Sequence, residues 1–105
     1  MISPRSESKE VLLEMVSRTL EIGATEMEVE YEGREEHVLA VREGVGVGIA
    51  RFDASSQEAH ALREALYQIS KSQTTITFGG VEYKLKVGIH ESFGEDVFRI
   101  AIKKA

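Results

Sequence analysis

Glu26-Met27-Glu28-Val29-Glu30-Tyr31 alternates an acid with an apolar residue at every step. A strand repeats every two residues, so the three acids share one face and Met27, Val29 and Tyr31 share the other. Such a strand belongs to a sheet packed on one side and wet on the other. Glu32-Gly33-Arg34 reads as a turn, and residues 37–42 as a second strand. Glu43-Gly44 turns the chain again into a third strand over residues 45–52. Three successive strands joined by short glycine-containing turns form an antiparallel meander.

On either side of this meander the apolar period becomes helical. Val11, Leu12, Met15, Val16, Thr19 and Leu20 form one stripe, which predicts a helix over residues 7–22 ended by Gly23. Residues 1–6, with Pro4, read as a flexible tail. After the third strand, Ser55 and Glu58 have the spacing of a capping box. Ala59, Leu62, Leu66 and Ile69 then line one face of a second helix ending near Lys71. Residues 74–78 are rich in β-branched side chains, and Gly79-Gly80 signals a two-residue hairpin. Val81, Tyr83, Leu85, Val87 and Ile89 alternate with Glu82, Lys84 and Lys86, and a loop with Gly94 leads to a last strand over residues 97–102. The predicted class is α+β in the order α-βββ-α-βββ. Two helices pack on one face of an antiparallel sheet, and residues 7–105 form a single domain. No residue-level repeat relates the two halves.

A chain of 105 residues suits one domain. Its 42% apolar and 30% charged residues are ordinary for a globular protein. The absence of cysteine excludes disulfides, thiolate metal ligands and a cysteine nucleophile. No window approaches the roughly 18 apolar residues of a membrane span, and residues 1–10 lack an apolar signal core, so a cytoplasmic location is expected. The net charge is −5, from 18 acidic and 13 basic residues, and Lys103-Lys104 is the one basic cluster. Nucleic acid needs a basic surface to neutralise phosphates, so it is not an expected partner.

The search for chemistry returns no reactive constellation. His37, His60 and His90 fall on three elements without ligand spacing, so no metal site is expected. Glu26, Glu28 and Glu30 could trade protons only in a desolvated pocket. On an exposed strand they make a solvated acidic face, open to a basic partner. Gly44, Gly46 and Gly48 miss the dinucleotide fingerprint, because the third glycine comes one position early and a strand follows. They leave a flat strip, expected to admit a packing helix ahead of a ligand. Neither GxxxxGK[ST] nor GxSxG occurs, so no P-loop and no nucleophile elbow is present. The expectation is a non-enzyme with no catalytic residues and no cofactor.

Residues 10–22, followed by Gly23-Ala24-Thr25-Glu26-Met27-Glu28-Val29-Glu30, resemble the amino-terminal domain of type II secretion and type IV pilus assembly ATPases. There an apolar helix leads into Gly-Ala-Ser-Asp-Ile-His-Ile-Glu. Glu43-Gly44-Val45 resembles that family's Asp-Gly-Val turn. Tyr83-Lys84-Leu85-Lys86-Val87, with Gly94-Glu95-Asp96-Val97-Phe98-Arg99-Ile100, resembles its closing hairpin. The similarity spans residues 10–103 and does not include a P-loop motor domain. It implies a PAS-like fold that docks onto the motor, with arginines that help sense nucleotide across the interface. Here the family's strand arginines fall on Leu39 and Val41 and a later one on Lys86, while Arg99 is retained. The resemblance therefore implies fold and docking more than nucleotide sensing.

Together these readings predict a non-catalytic protein-interaction or regulatory domain that docks to a secretion or pilus motor or self-associates. Its interaction residues are expected to be Glu26, Glu28, Glu30, Gly44, Gly46, Gly48, Lys86 and Arg99. The alternative is a PAS-like small-molecule sensor, motivated by the glycine strip beside Phe78 and Phe93.

Overall fold

β1 (Glu26–Glu32), β2 (Glu35–Arg42) and β3 (Val45–Asp53) form the expected meander in the computed structural model, which describes residues 4–105, with side chains from Glu10 onward. Tyr31 lies opposite Glu36, Val29 opposite Val38 and Met27 opposite Ala40. Each of these pairs shares one face, and all but the half-buried Tyr31 are buried there.

The helix α1 (Pro4–Glu21) precedes the meander, and α2 (Gln57–Ser70) follows it. α1 starts three residues earlier than the sequence suggested, because proline fits a first helical turn, where its missing N–H would have no partner anyway. Of the expected tail, residues 1–3 lie outside the described residues. The predicted stripe is the packed one: Leu12, Met15, Val16 and Thr19 are all buried, with the Thr19 hydroxyl donating to the Met15 carbonyl at 2.9 Å.

The start of α2 differs by one residue from the capping-box expectation. Asp53 accepts hydrogen bonds from the amide and hydroxyl of Ser55, at 2.9 and 2.6 Å. Ser55 is thereby held in the turn. Ser56 becomes the N-cap instead, accepting from the Ala59 amide at 3.1 Å. The buried face is the predicted one, Ala59, Leu62, Leu66 and Ile69, joined by Ala65.

β4 (Thr74–Phe78), β5 (Val81–Ser92) and β6 (Glu95–Lys104) complete one six-stranded sheet of order β3-β2-β1-β6-β5-β4, antiparallel at every pairing. The first meander runs outward from the centre and the second runs inward, so β1 and β6 meet in the middle. Halves related by a two-fold would place β1 and β4 in equivalent positions; here one is central and one is an edge. The order thus agrees with the absence of an internal sequence repeat.

Both helices cover the same sheet face. Their buried residues meet Met27, Val29, Val38, Leu85, Phe98, Ile100 and Ile102 in one core. Apolar burial of this kind is the main favourable term in folding. Among the described residues no helix covers the other face of the sheet, where β1 presents Glu26, Glu28 and Glu30 and β2 presents Leu39 and Val41.

Candidate functional site

On that open face the residues singled out from sequence come largely together. Strand alternation places Glu26, Glu28 and Glu30 in a row on β1. Glu28 lies between Leu39 of β2 and Arg99 of β6, and Oε2 of Glu28 is 3.8 Å from Nε of Arg99. The Arg99 side chain is 70% exposed, so this pair is screened by water and worth little stability.

The glycines reach the same face through a bulge. Between β2 and β3, Val38 pairs with Ala50 but Leu39 pairs with Gly48, leaving Ile49 as the extra residue. The shift sets Gly48 across from Leu39 and Gly46 across from Val41. A Cβ on Gly46 would lie 3.7 Å from Cδ1 of Leu39. This corrects the expectation of a helix packed on the glycine strip, since both helices sit on the opposite face. Gly44 is not part of the strip either; it belongs to the β2–β3 turn, with φ at +78°.

A shallow groove of about 410 Å³ results, lined by Glu26, Glu28, Leu39, Val41, Gly44, Gly46 and Arg99. Gly48 lines an adjoining hollow with His37, Leu39 and Arg51. Glu30 continues the acidic row opposite His37. Lys86 lies beyond Arg99, on β5 opposite Ala101. The face thus grades from a neutral glycine and leucine strip, through an acidic row, to a basic border.

The second reading fares differently in space. The glycine strip is on β3 at one edge of the sheet, and Phe78 is on β4 at the other. Phe93 sits in the β5–β6 turn, fully exposed and with φ at 52°. The residues that motivated a ligand cavity do not share one.

One polar site was not anticipated. Glu36, one residue ahead of the second strand expected from sequence, is 1% exposed beneath α2. Nε of Arg63 lies 3.8 Å from its Oε1, and the Arg63 guanidinium stacks 4.3 Å from the Tyr31 ring centre. Both Glu36 oxygens, and Nε and Nη2 of Arg63, are buried without a hydrogen-bond partner. Lost hydration pushes the Glu36 carboxyl up to about 7, and the nearby guanidinium does not offset it at that separation. The signal was present in the parity of β2, where Glu36, Val38 and Ala40 share a face.

Beside this pair, Tyr67 donates its hydroxyl to Asp96 and meets the Phe98 ring edge-on, with centroids 5.0 Å apart. The hydrogen bond to Asp96 raises the Tyr67 pKa. Among the described residues no three His, Cys, Asp or Glu side chains converge to hold a metal, and no helix is long and apolar enough to cross a membrane.

No protein-family model matches this chain, and no curated protein matches it. The open face and the Glu36–Arg63 pair are therefore read on their chemistry. The face offers shape and charge to a binding partner. The buried pair, capped by Tyr31 and α2, offers a proton equilibrium near neutrality.

Proposed function

We propose that this protein is a non-catalytic docking domain that binds another protein through the open face of its sheet. The observation that carries the reading is the groove between β1 and β3, where Leu39 and Val41 lie beside side-chain-free Gly46 and are bordered by Glu26 and Glu28. Glycines leave room for another backbone to approach closely. The apolar pair supplies contact area, and the acidic row selects a segment carrying lysine or arginine. A partner element would lie along the strip with its basic side chains over β1.

The resemblance to secretion and pilus ATPase amino-terminal domains supplies the partner class, a P-loop motor subunit of such a machine, met in the cytoplasm. The groove lies where Leu39, Val41 and Gly44 stand in that similarity, which supports using this face for docking.

The test is affinity capture from a cytoplasmic extract with the wild-type chain and with Leu39→Lys combined with Glu28→Lys. The expected result is a P-loop motor subunit retained by the wild type and lost from the double variant. Equal retention of the same proteins by both forms would overturn the assignment of the face.

A further inference from the structure

The two edges of the sheet are built differently. β3 carries a bulge and the charges of Arg51 and Asp53, devices that discourage a sheet edge from pairing with another. β4 has none of them. Thr74-Thr75-Ile76-Thr77-Phe78 contains no charge, proline or glycine, and it pairs with β5 without a register shift.

The turn fixes which backbone groups this edge leaves free. Gly79 and Gly80 have φ of 58° and 78°, as a two-residue type I′ hairpin requires, and Phe78 and Val81 are its closing pair. Hydrogen bonding alternates along an antiparallel strand. The N–H and C=O groups of Phe78, Ile76 and Thr74 therefore face β5, and those of Thr75 and Thr77 face away from the sheet. Thr75 and Thr77 are both exposed. On the helix side, Ile76 borders a hollow of about 420 Å³ lined with Leu12, Leu13 and Ile69, and none of its lining residues is charged. Leu13 is 39% exposed there.

We propose that β4 is a self-pairing edge, at which two copies of this chain join their six-stranded sheets into one. A two-fold axis normal to the sheet at Ile76 sets Thr75 of one copy opposite Thr77 of the other. Each such pair exchanges both of its outward N–H···O bonds. The two Ile76 side chains then meet at a non-hydrogen-bonded position, where side chains approach most closely. Both copies keep their helices on the same side, so the two uncharged hollows face each other across the axis.

The occupant follows from symmetry and charge. A contact between like copies must be self-complementary, and the strand is so about Ile76, with threonine on either side. Each copy carries a net charge of −5, so copies repel wherever acids are exposed. The β4 edge and its hollow form an uncharged stretch where that repulsion is least. A five-residue edge buries little area, so the dimer belongs with small, weak interfaces, with a dissociation constant of about 10–100 μM.

Sedimentation velocity on the purified chain, from about 5 μM to about 1 mM, tests this. Monomer is expected at the low end and dimer at the high end. Thr75→Lys with Thr77→Lys sets like charges directly opposite each other and is expected to weaken association at least about tenfold. Thr75→Glu with Thr77→Lys sets opposite charges across the axis and is expected to restore the dimer, with circular dichroism reporting the fold of each variant. Monomer at every concentration would overturn the proposal. So would a dimer indifferent to the lysine pair, or one that the charge-reversed pair fails to rescue while folded. The proposal stands apart from the docking face: Glu28→Lys, on the open face of β1, is expected to dimerise as the wild type does.

Discussion

Nε of Arg63 lies 3.8 Å from Oε1 of Glu36, beneath α2 and out of contact with water. A carboxyl and a guanidinium so placed lose hydration without gaining a full hydrogen-bonded pair, and such arrangements often cost stability. Tyr31 compensates in part, because its ring faces the guanidinium at 4.3 Å.

This pair makes stability depend on pH. Glu36 has an ordinary pKa of 4.5 and is raised to about 7 in the folded chain. Between those values the folded state holds the proton more tightly than the unfolded state. The contribution of Glu36 is therefore complete below 4.5 and is lost as pH rises through about 7. Urea unfolding is expected to show wild type losing roughly 2–3 kcal/mol from this group between about pH 4.5 and pH 8. Glu36→Gln, neutral throughout, is expected to lack that component. Parallel pH profiles for the two forms would contradict the assignment.

The N-cap of α2 can be located by a pair of substitutions. Ser56→Ala removes the acceptor of the Ala59 amide and is expected to cost about 1 kcal/mol. Ser55→Ala removes only an exposed contact to Asp53 and is expected to stay within about 0.5 kcal/mol. Thermal or urea unfolding of both variants decides between them, and the reverse ranking would restore the capping box read from sequence.

Two neighbouring glycines are expected to respond with opposite signs. Gly44 has φ of +78°, a conformation that L side chains resist, so Gly44→Ala should destabilise by roughly 1 kcal/mol. Gly46 has no such φ, and its added Cβ meets Leu39 at an ordinary 3.7 Å. Gly46→Ala should therefore be neutral or stabilise by up to about 1 kcal/mol, through the lost freedom of the unfolded chain. Denaturant midpoints for the two variants check the contrast.

Glu28→Lys separates binding from stability. It removes a pair whose Arg99 partner is largely exposed, so unfolding free energy should stay within about 0.5 kcal/mol of wild type. Affinity for a basic partner segment should fall, as read by titration calorimetry. A stability loss above about 1 kcal/mol would assign Glu28 a structural role.

The element order was legible because period and punctuation agree along the chain. Leu12, Met15, Val16 and Thr19 are buried as their spacing required, and Gly79-Gly80 closes a hairpin as a glycine pair should. Glu36 was not singled out, because the expected second strand began at residue 37 and β2 begins at Glu35. The turn-mate of Glu36 across Gly33-Arg34 is Tyr31, and a residue paired with an inward side chain must itself point inward.

From Met27, Val29 and Tyr31 to Val97 and Arg99, the chain's own periodicity determined an α+β protein with one packed and one open sheet face. Local pattern suffices there, because side-chain direction in a strand or helix depends only on position within the element. Tertiary structure alone decided that β1 pairs with β6, that a bulge turns Gly46 and Gly48 toward Leu39, and that Arg63 closes over Glu36. Those relationships join residues far apart along the chain, and they follow from how two meanders and two helices share one core, which no local repeat encodes.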